Sequence, residues 1–138
     1  MTVKERDIAG DFKTILKQYA IHTTNSTMES GWADKLIQCP KGIVVACELK
    51  RVFVNKSGYY LLSDLRQSQC AWLAKWQYNG GKCFVFIGLI CDDIFLGYHC
   101  KTVVEWKDWL KVNNQKHYAI NIKSASEVAY WFEGFISA

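Results

Sequence analysis

The run from Cys83 to Cys91, Cys-Phe-Val-Phe-Ile-Gly-Leu-Ile-Cys, constrains this chain more than any other segment. At nine residues it is far short of the roughly 20 that a membrane-spanning helix requires. Its β-branched and aromatic content reads instead as a strand in a protein interior. Such a strand needs a core around it, and the chain can supply one. Of its 138 residues half are hydrophobic, 20 are aromatic and one is proline, a balance opposite to that of disordered chains. A domain of this length buries about 68% of the surface its unfolded chain exposes. One domain over residues 1–138 is therefore expected.

Lys4, Glu5, Arg6 and Asp7 stand where a signal peptide would carry an unbroken apolar stretch, so the expected location is the cytoplasm, with no membrane association. The six cysteines, at positions 39, 47, 70, 83, 91 and 100, form no Cys-x-x-Cys pair, which argues against a zinc knuckle. Most lie in apolar runs and are expected to pack as reduced, small hydrophobes.

Elsewhere the pattern alternates between helix and strand. Ile8, Phe12, Ile15, Leu16 and Tyr19 fall at helical spacing and predict a helix over residues 4–20. Ala33–Cys39 and Ile43–Lys50 predict two antiparallel strands joined by the turn Pro40-Lys41-Gly42. On the second strand Ile43, Val45, Cys47 and Leu49 form one apolar face, and Val44, Ala46, Glu48 and Lys50 form the other. Residues 51–62 read as a loop, and a helix is expected from Asp64 or Leu65 to Tyr78, stopped by Asn79-Gly80-Gly81. Strands Lys82–Ile90 and Ile94–His99 flank an Asp92-Asp93 turn. Thr102 caps a helix running to Lys111, and His117–Ile122 is a last strand. Ser124-x-x-Glu127 is a capping box opening a helix over 125–133. The order α β β α β β α β α describes one α/β domain with a central mixed sheet.

The formal net charge of +4 is too small to imply nucleic acid by itself. Its distribution is more informative. Between residues 35 and 66 six basic side chains (Lys35, Lys41, Lys50, Arg51, Lys56, Arg66) face two acids, Glu48 and Asp64, so the positive field is local.

An acid-x-lysine triplet occurs three times, as Asp11/Lys13, Glu48/Lys50 and Glu105/Lys107. Two of them fall in predicted helices, where positions i and i+2 point apart. Only Glu48 and Lys50 sit on one strand face, about 7 Å from each other. Asp34, on the preceding strand, can reach the same surface. Two carboxylates and an ammonium suit Mg²⁺, a hard cation that takes one or two carboxylates and accepts phosphate oxygens as further ligands. The matching chemistry is phosphodiester hydrolysis by a metal-activated water, with Lys50 holding that water or stabilising charge on the phosphoryl group. The alternative is that such triplets are solvated ion pairs, worth ~0–1 kcal/mol each.

These residues resemble the PD-(D/E)XK nuclease superfamily, in particular its RecU-like, archaeal Holliday-junction-resolvase and VRR-NUC members. The resemblance covers roughly residues 10–90. It rests on Gly31-Trp-Ala-Asp34, on Ile43-Val-Val-Ala-Cys-Glu-Leu-Lys-Arg51, on Leu62-Ser-x-x-Arg-x-x-Gln69 and on Gly80-Gly-Lys-Cys-Phe-Val-Phe-Ile87. It implies a restriction-endonuclease-like core and a Mg²⁺-dependent endonuclease (Mn²⁺ substituting) that cuts branched DNA as a homodimer. By the same likeness Asp34, Glu48 and the Leu49 carbonyl would hold the metal, Lys50 would be catalytic and Gln69 would support the site. The family's first-helix acid falls best on Asp11, with Glu5 and Asp7 next, although Lys13 stands nearest the usual spacing. Ala33 replaces the family's proline. Lys41, Arg51, Lys56 and Arg66 are the expected phosphate contacts, with His22 a weaker one. The alternative is a nucleic-acid-binding module on the same scaffold without catalysis.

Overall fold

A computed structural model describes residues 7–24, 33–55, 57, 67–112 and 115–138. The buried strand forecast from the apolar run is β4 (Lys82–Cys91), whose residues are all buried except Lys82. It lies beside β3 (Val44–Val54) in parallel register, Val45 opposite Lys82 through Val54 opposite Cys91. Antiparallel β5 (Ile94–Lys101) flanks β4. On the other side β3 pairs antiparallel with β2 (Lys35–Gln38), and β2 with β1 (Ala20–Thr23). The spatial order is β1-β2-β3-β4-β5, a five-stranded mixed sheet.

Helices cover both faces of this sheet, which is why β4 carries no alternating polar side. On one face α1 (Ile8–Ile15) and α5 (Ala125–Ser137) pack over Val45, Cys47, Phe84, Phe86 and Tyr98. On the other, α2 (Gln67–Tyr78), α3 (Val103–Lys111) and α4 (Gln115–Ala119) pack with Ala46, Val52, Val54, Val85, Ile87 and Leu89. The strand alternation read from residues 43–50 is thus the division between two cores. Gly88 faces α1, and a Cβ there would come within 2.3 Å of Ile8 Cδ1, so α1 sits as low as it does because this position has no side chain. Cys47, Cys83, Cys91 and Cys100 are buried among apolar neighbours.

Several boundaries differ from the sequence reading. The first helix ends at Ile15 rather than residue 20, because Ala20–Thr23 pair with Gln38–Lys35 and complete an edge strand instead. The expected loop at 51 is strand up to Val54: Val52 and Val54 continue the apolar face of Ala46 and hold the parallel ladder to its end. Residues 61–66, where the second helix was expected to begin, lie outside the described residues. The expected strand His117–Ile122 is a helical turn, α4, followed by Asn121 in a left-handed conformation (φ 61°). It turns because Tyr118 must reach the core, where its ring meets Trp109 edge-on and its carbonyl accepts the His99 Nε2 hydrogen at 2.8 Å. All that remains of strand pairing there is a bridge between Lys123 and Tyr98. Thr102 caps α3 as expected, and Glu105 closes a capping box there that the sequence reading did not name; the Ser124–Glu127 box forms as expected, but α5 runs to Ser137 rather than 133. Among the described residues no helix is long and apolar enough to cross a membrane.

Phe84 joins α1 and α5 to the sheet. It is fully buried, and its ring lies 5.1–6.4 Å from those of Phe12, Trp131, Phe132 and Phe135. Phe84→Ala is expected to cost about 3–5 kcal/mol of stability and Phe84→Leu less, because leucine leaves the smaller cavity. Urea unfolding followed by circular dichroism measures both.

Candidate active site

The candidate site forms where β2 stops and β3 continues. The register that pairs Lys35 with Cys47 would next place Asp34 beside Glu48, but Asp34 lies in a bend just before β2. From there its side chain does what the missing strand would have done: Oδ2 accepts the Leu49 backbone N–H at 2.9 Å. In an extended strand the N–H and C=O of one residue leave on the same edge. The Leu49 carbonyl therefore leaves β3 toward Asp34 as well.

Glu48 points to the α2 face and is only 2% exposed. Gln69, itself buried in the first turns of α2, donates from Nε2 to Glu48 Oε1 at 2.7 Å. Glu48 Oε2 is buried and has no hydrogen-bond partner among the described residues. Burial raises the Glu48 carboxyl to about 8; the neighbouring Asp34 carboxylate adds to the rise and the Lys50 ammonium partly offsets it. Lys50 lies half-buried two residues on, on the same strand face. The structure therefore brings together Asp34, Glu48, Lys50 and Gln69, and with them the Leu49 carbonyl edge.

Most of the other candidates that the structure describes have different partners. Asp11 accepts a hydrogen bond from the Tyr98 hydroxyl at 2.7 Å, within the layer of α1 and α5 and so on the opposite face of the sheet from Glu48. Asp7 is engaged as the N-cap of α1, accepting from the Gly10 N–H, and Glu5 lies outside the described residues. Arg51 follows Lys50 in unbroken register, so alternation turns it to the α1 face, where its guanidinium lies 5.9 Å from the Phe53 ring centre. Lys41 is exposed in the Pro40–Gly42 turn, at φ 63°. Lys56 and Arg66 lie outside the described residues. His22 contacts Gln38 at 2.9 Å on the β1–β2 edge.

The sequence reading counts Lys35 only as one of the basic residues of the 35–66 stretch. Although it directly follows Asp34, its side chain is turned inward on the Cys47 face, only 5% exposed, and Nζ donates to Thr23 Oγ1 at 2.8 Å. Burial lowers its pKa, Lys13 adds to the fall, and the Asp34 carboxylate opposes it. A lysine in step with Ile37 on a buried face was the available signal.

The sequence matches no protein-family model and no curated protein. A search of solved structures matches a 1.6 Å structure of Archaeoglobus fulgidus Hjc, a Holliday junction resolvase from an archaeal hyperthermophile. The TM-score is 0.52 at 14% sequence identity, over 88% of this chain and 97% of that one. The chain has a restriction-endonuclease-like fold.

The donor set can be tested against a divalent cation. Among the described residues no three His, Cys, Asp or Glu side chains gather as a metal site. Two carboxylates are adjacent, however, and a buried carboxyl oxygen lacks a donor. Such a set fits a hard cation that keeps several waters, and not one needing a full protein cage.

A raised carboxyl also gives the metal-free protein a pH signature. Between pH 4.5 and about 8 the folded state retains a proton that the unfolded state has lost, so the stability this proton brings is complete below 4.5 and lost as pH rises through 8. The loss is on the order of 3–5 kcal/mol, levelling above pH 8. Glu48→Gln should flatten this fall, as read by urea unfolding in EDTA across pH 5–9.

Proposed function

We propose that this protein is a Mg²⁺-dependent endonuclease that hydrolyses phosphodiester bonds in branched DNA. The observation that carries the reading is the buried Glu48 Oε2, held without a donor beside the Asp34 carboxylate at a strand end of a nuclease-like fold. Two adjacent carboxyl groups, one kept protonated chiefly by burial, with Lys50 offsetting only part of the cost, make a site that gains by taking up a cation.

Asp34, Glu48 and the Leu49 carbonyl would hold the metal, with Mn²⁺ substituting for Mg²⁺. When bound, the cation supplies Lewis-acid polarisation of the phosphate and makes water a better nucleophile at neutral pH. The protein's own residues do the rest. Asp34 is fixed by the Leu49 amide and Glu48 by the Gln69 amide, so both carboxylates enter the reaction already oriented. Gln69 is thus a positioning residue. Lys50 supplies the positive charge that stabilises the negative charge growing on the phosphoryl oxygens. Lys41 and the basic residues nearby contact backbone phosphates, and a homodimer presents two such sites to symmetric strands. A non-catalytic DNA-binding module is the second reading, favoured by the Asp11 carboxylate lying in the α1–α5 layer instead of joining the pair.

The test incubates the protein with a four-way junction, a flap, a duplex and single-stranded DNA in Mg²⁺, Mn²⁺ and EDTA. Branched DNA should be cut in either metal and left intact in EDTA. Asp34→Asn and Glu48→Gln should abolish cleavage while the fold persists, and Lys50→Ala should slow it about a hundredfold or more, the scale of one lost donor to a developing oxyanion. A wild-type rate in either carboxamide variant would place the chemistry elsewhere. Because a cation must displace the Glu48 proton, its affinity should rise about tenfold per pH unit up to roughly pH 8 and then level off, as measured by isothermal titration with Mn²⁺.

A further inference from the structure

One turn beyond Gln69, the same helix carries a second feature that the acidic site does not use. Trp72, Lys75, Trp76 and Asn79 occupy positions i, i+3, i+4 and i+7 and form one stripe along α2. The two indoles stack with ring centres 5.1 Å apart and planes 18° from parallel. Each is only half-buried, and with Lys75, Asn79 and Gly81 they line an open cleft of 380 Å³.

This cleft is built and held. Trp76 donates its indole N–H to the Lys82 carbonyl at 2.9 Å, which pins the ring to the start of β4. Gly81 lies directly against it, and a Cβ there would stand 2.3 Å from Trp76 Nε1. Any larger residue at 81 would displace the indole. Lys75 is exposed, and among the described residues no carboxylate pairs with it. Flat aromatic surface and an exposed cation on one stripe match the two halves of a nucleotide, the base and its phosphate.

We propose that this cleft binds an unpaired nucleotide of the DNA, its base stacked on the Trp72–Trp76 pair and its phosphate on Lys75. The inference rests on the endonuclease reading and deepens it. Trp72 and Trp76 lie three and seven residues beyond Gln69, about 4.5 and 10 Å along the helix axis. At roughly 3.4 Å per nucleotide, the cleft is about one to three nucleotides from a phosphate held at Glu48. A base inside a duplex already has both faces stacked, so the cleft selects DNA with unpaired nucleotides beside the cut. A second copy of the chain is the less fitting occupant, because closing a protein surface over the stripe would desolvate Lys75 without a counter-charge.

The test compares binding, in EDTA, to a duplex carrying a single-stranded tail and to a fully paired duplex. Trp72→Leu should weaken the tailed duplex by about 10- to 100-fold, the range for losing one base–aromatic stack, while changing the paired duplex less than twofold. Circular dichroism reports whether that variant folds. Lys75→Gln, on the exposed helix surface, perturbs the cleft without touching the core and should weaken the tailed duplex several-fold. Equal losses on both DNAs, or no loss in a folded variant, would overturn the proposal. So would sedimentation showing that Trp72→Leu turns a dimer into a monomer, which would place a second copy on the cleft. If the wild type binds neither DNA, the endonuclease reading falls and takes this one with it. If the wild type binds and cuts but the variants do not discriminate, this one falls alone.

Discussion

The parallel pairing of β3 with β4 is the constraint from which the rest of the molecule follows. Parallel neighbours cannot be joined by a tight turn and need a crossover of a dozen or more residues. Here the chain between Val54 and Lys82 makes it, and α2 lies within that stretch. To close the layer, α2 must bury Leu73 against the face of the sheet that carries Ala46 and Cys83. The residue one turn earlier on that side is Gln69, and it meets Glu48, two positions beyond Ala46. The contact that orients the acidic residue is thus set by the geometry that joins the two central strands.

The parts of this design that rest on short-range periodicity were legible in the sequence. The composition of Lys82–Ile90 read as a buried strand, and alternation over residues 43–50 placed Glu48 and Lys50 together and apart from Val45 and Cys47. Thr102 and Ser124-x-x-Glu127 announced helix starts because a cap closes within four residues. What escaped depended on partners distant in sequence. Ala20–Thr23 is a strand only because Leu36 and Ile37 are there to pair with it. Tyr118, Ile120 and Ile122 alternate as a strand would, yet Tyr118 is buried, Ile120 is exposed and the backbone coils. Asp11 was misplaced for a related reason: the spacing of a helix gives its apolar face but not which side of a sheet that face will cover.

The acidic site departs from the rest of the sheet in one respect. Elsewhere buried polar groups in the sheet have partners, as Lys35 has Thr23 and His99 has the Tyr118 carbonyl. Glu48 is as buried as either, yet one of its oxygens goes without. Trp109 Nε1 and His117 Nε2 are also buried without a partner among the described residues, so what sets the Glu48 oxygen apart is its place beside a second carboxyl group, where a ligand can relieve the cost.

The two oxygens of Asp34 extend that point. Oδ2 is engaged by the Leu49 amide and terminates a sheet edge that would otherwise end in a bare N–H. A carboxylate tethered by one oxygen has lost its freedom to swivel before any ligand arrives, so its other oxygen has an orientation set by the strand itself. One atom of the side chain thus serves the sheet edge and fixes the orientation of the whole carboxylate. The entropy of fixing that side chain is therefore spent in folding, and what arrives later meets a rigid donor.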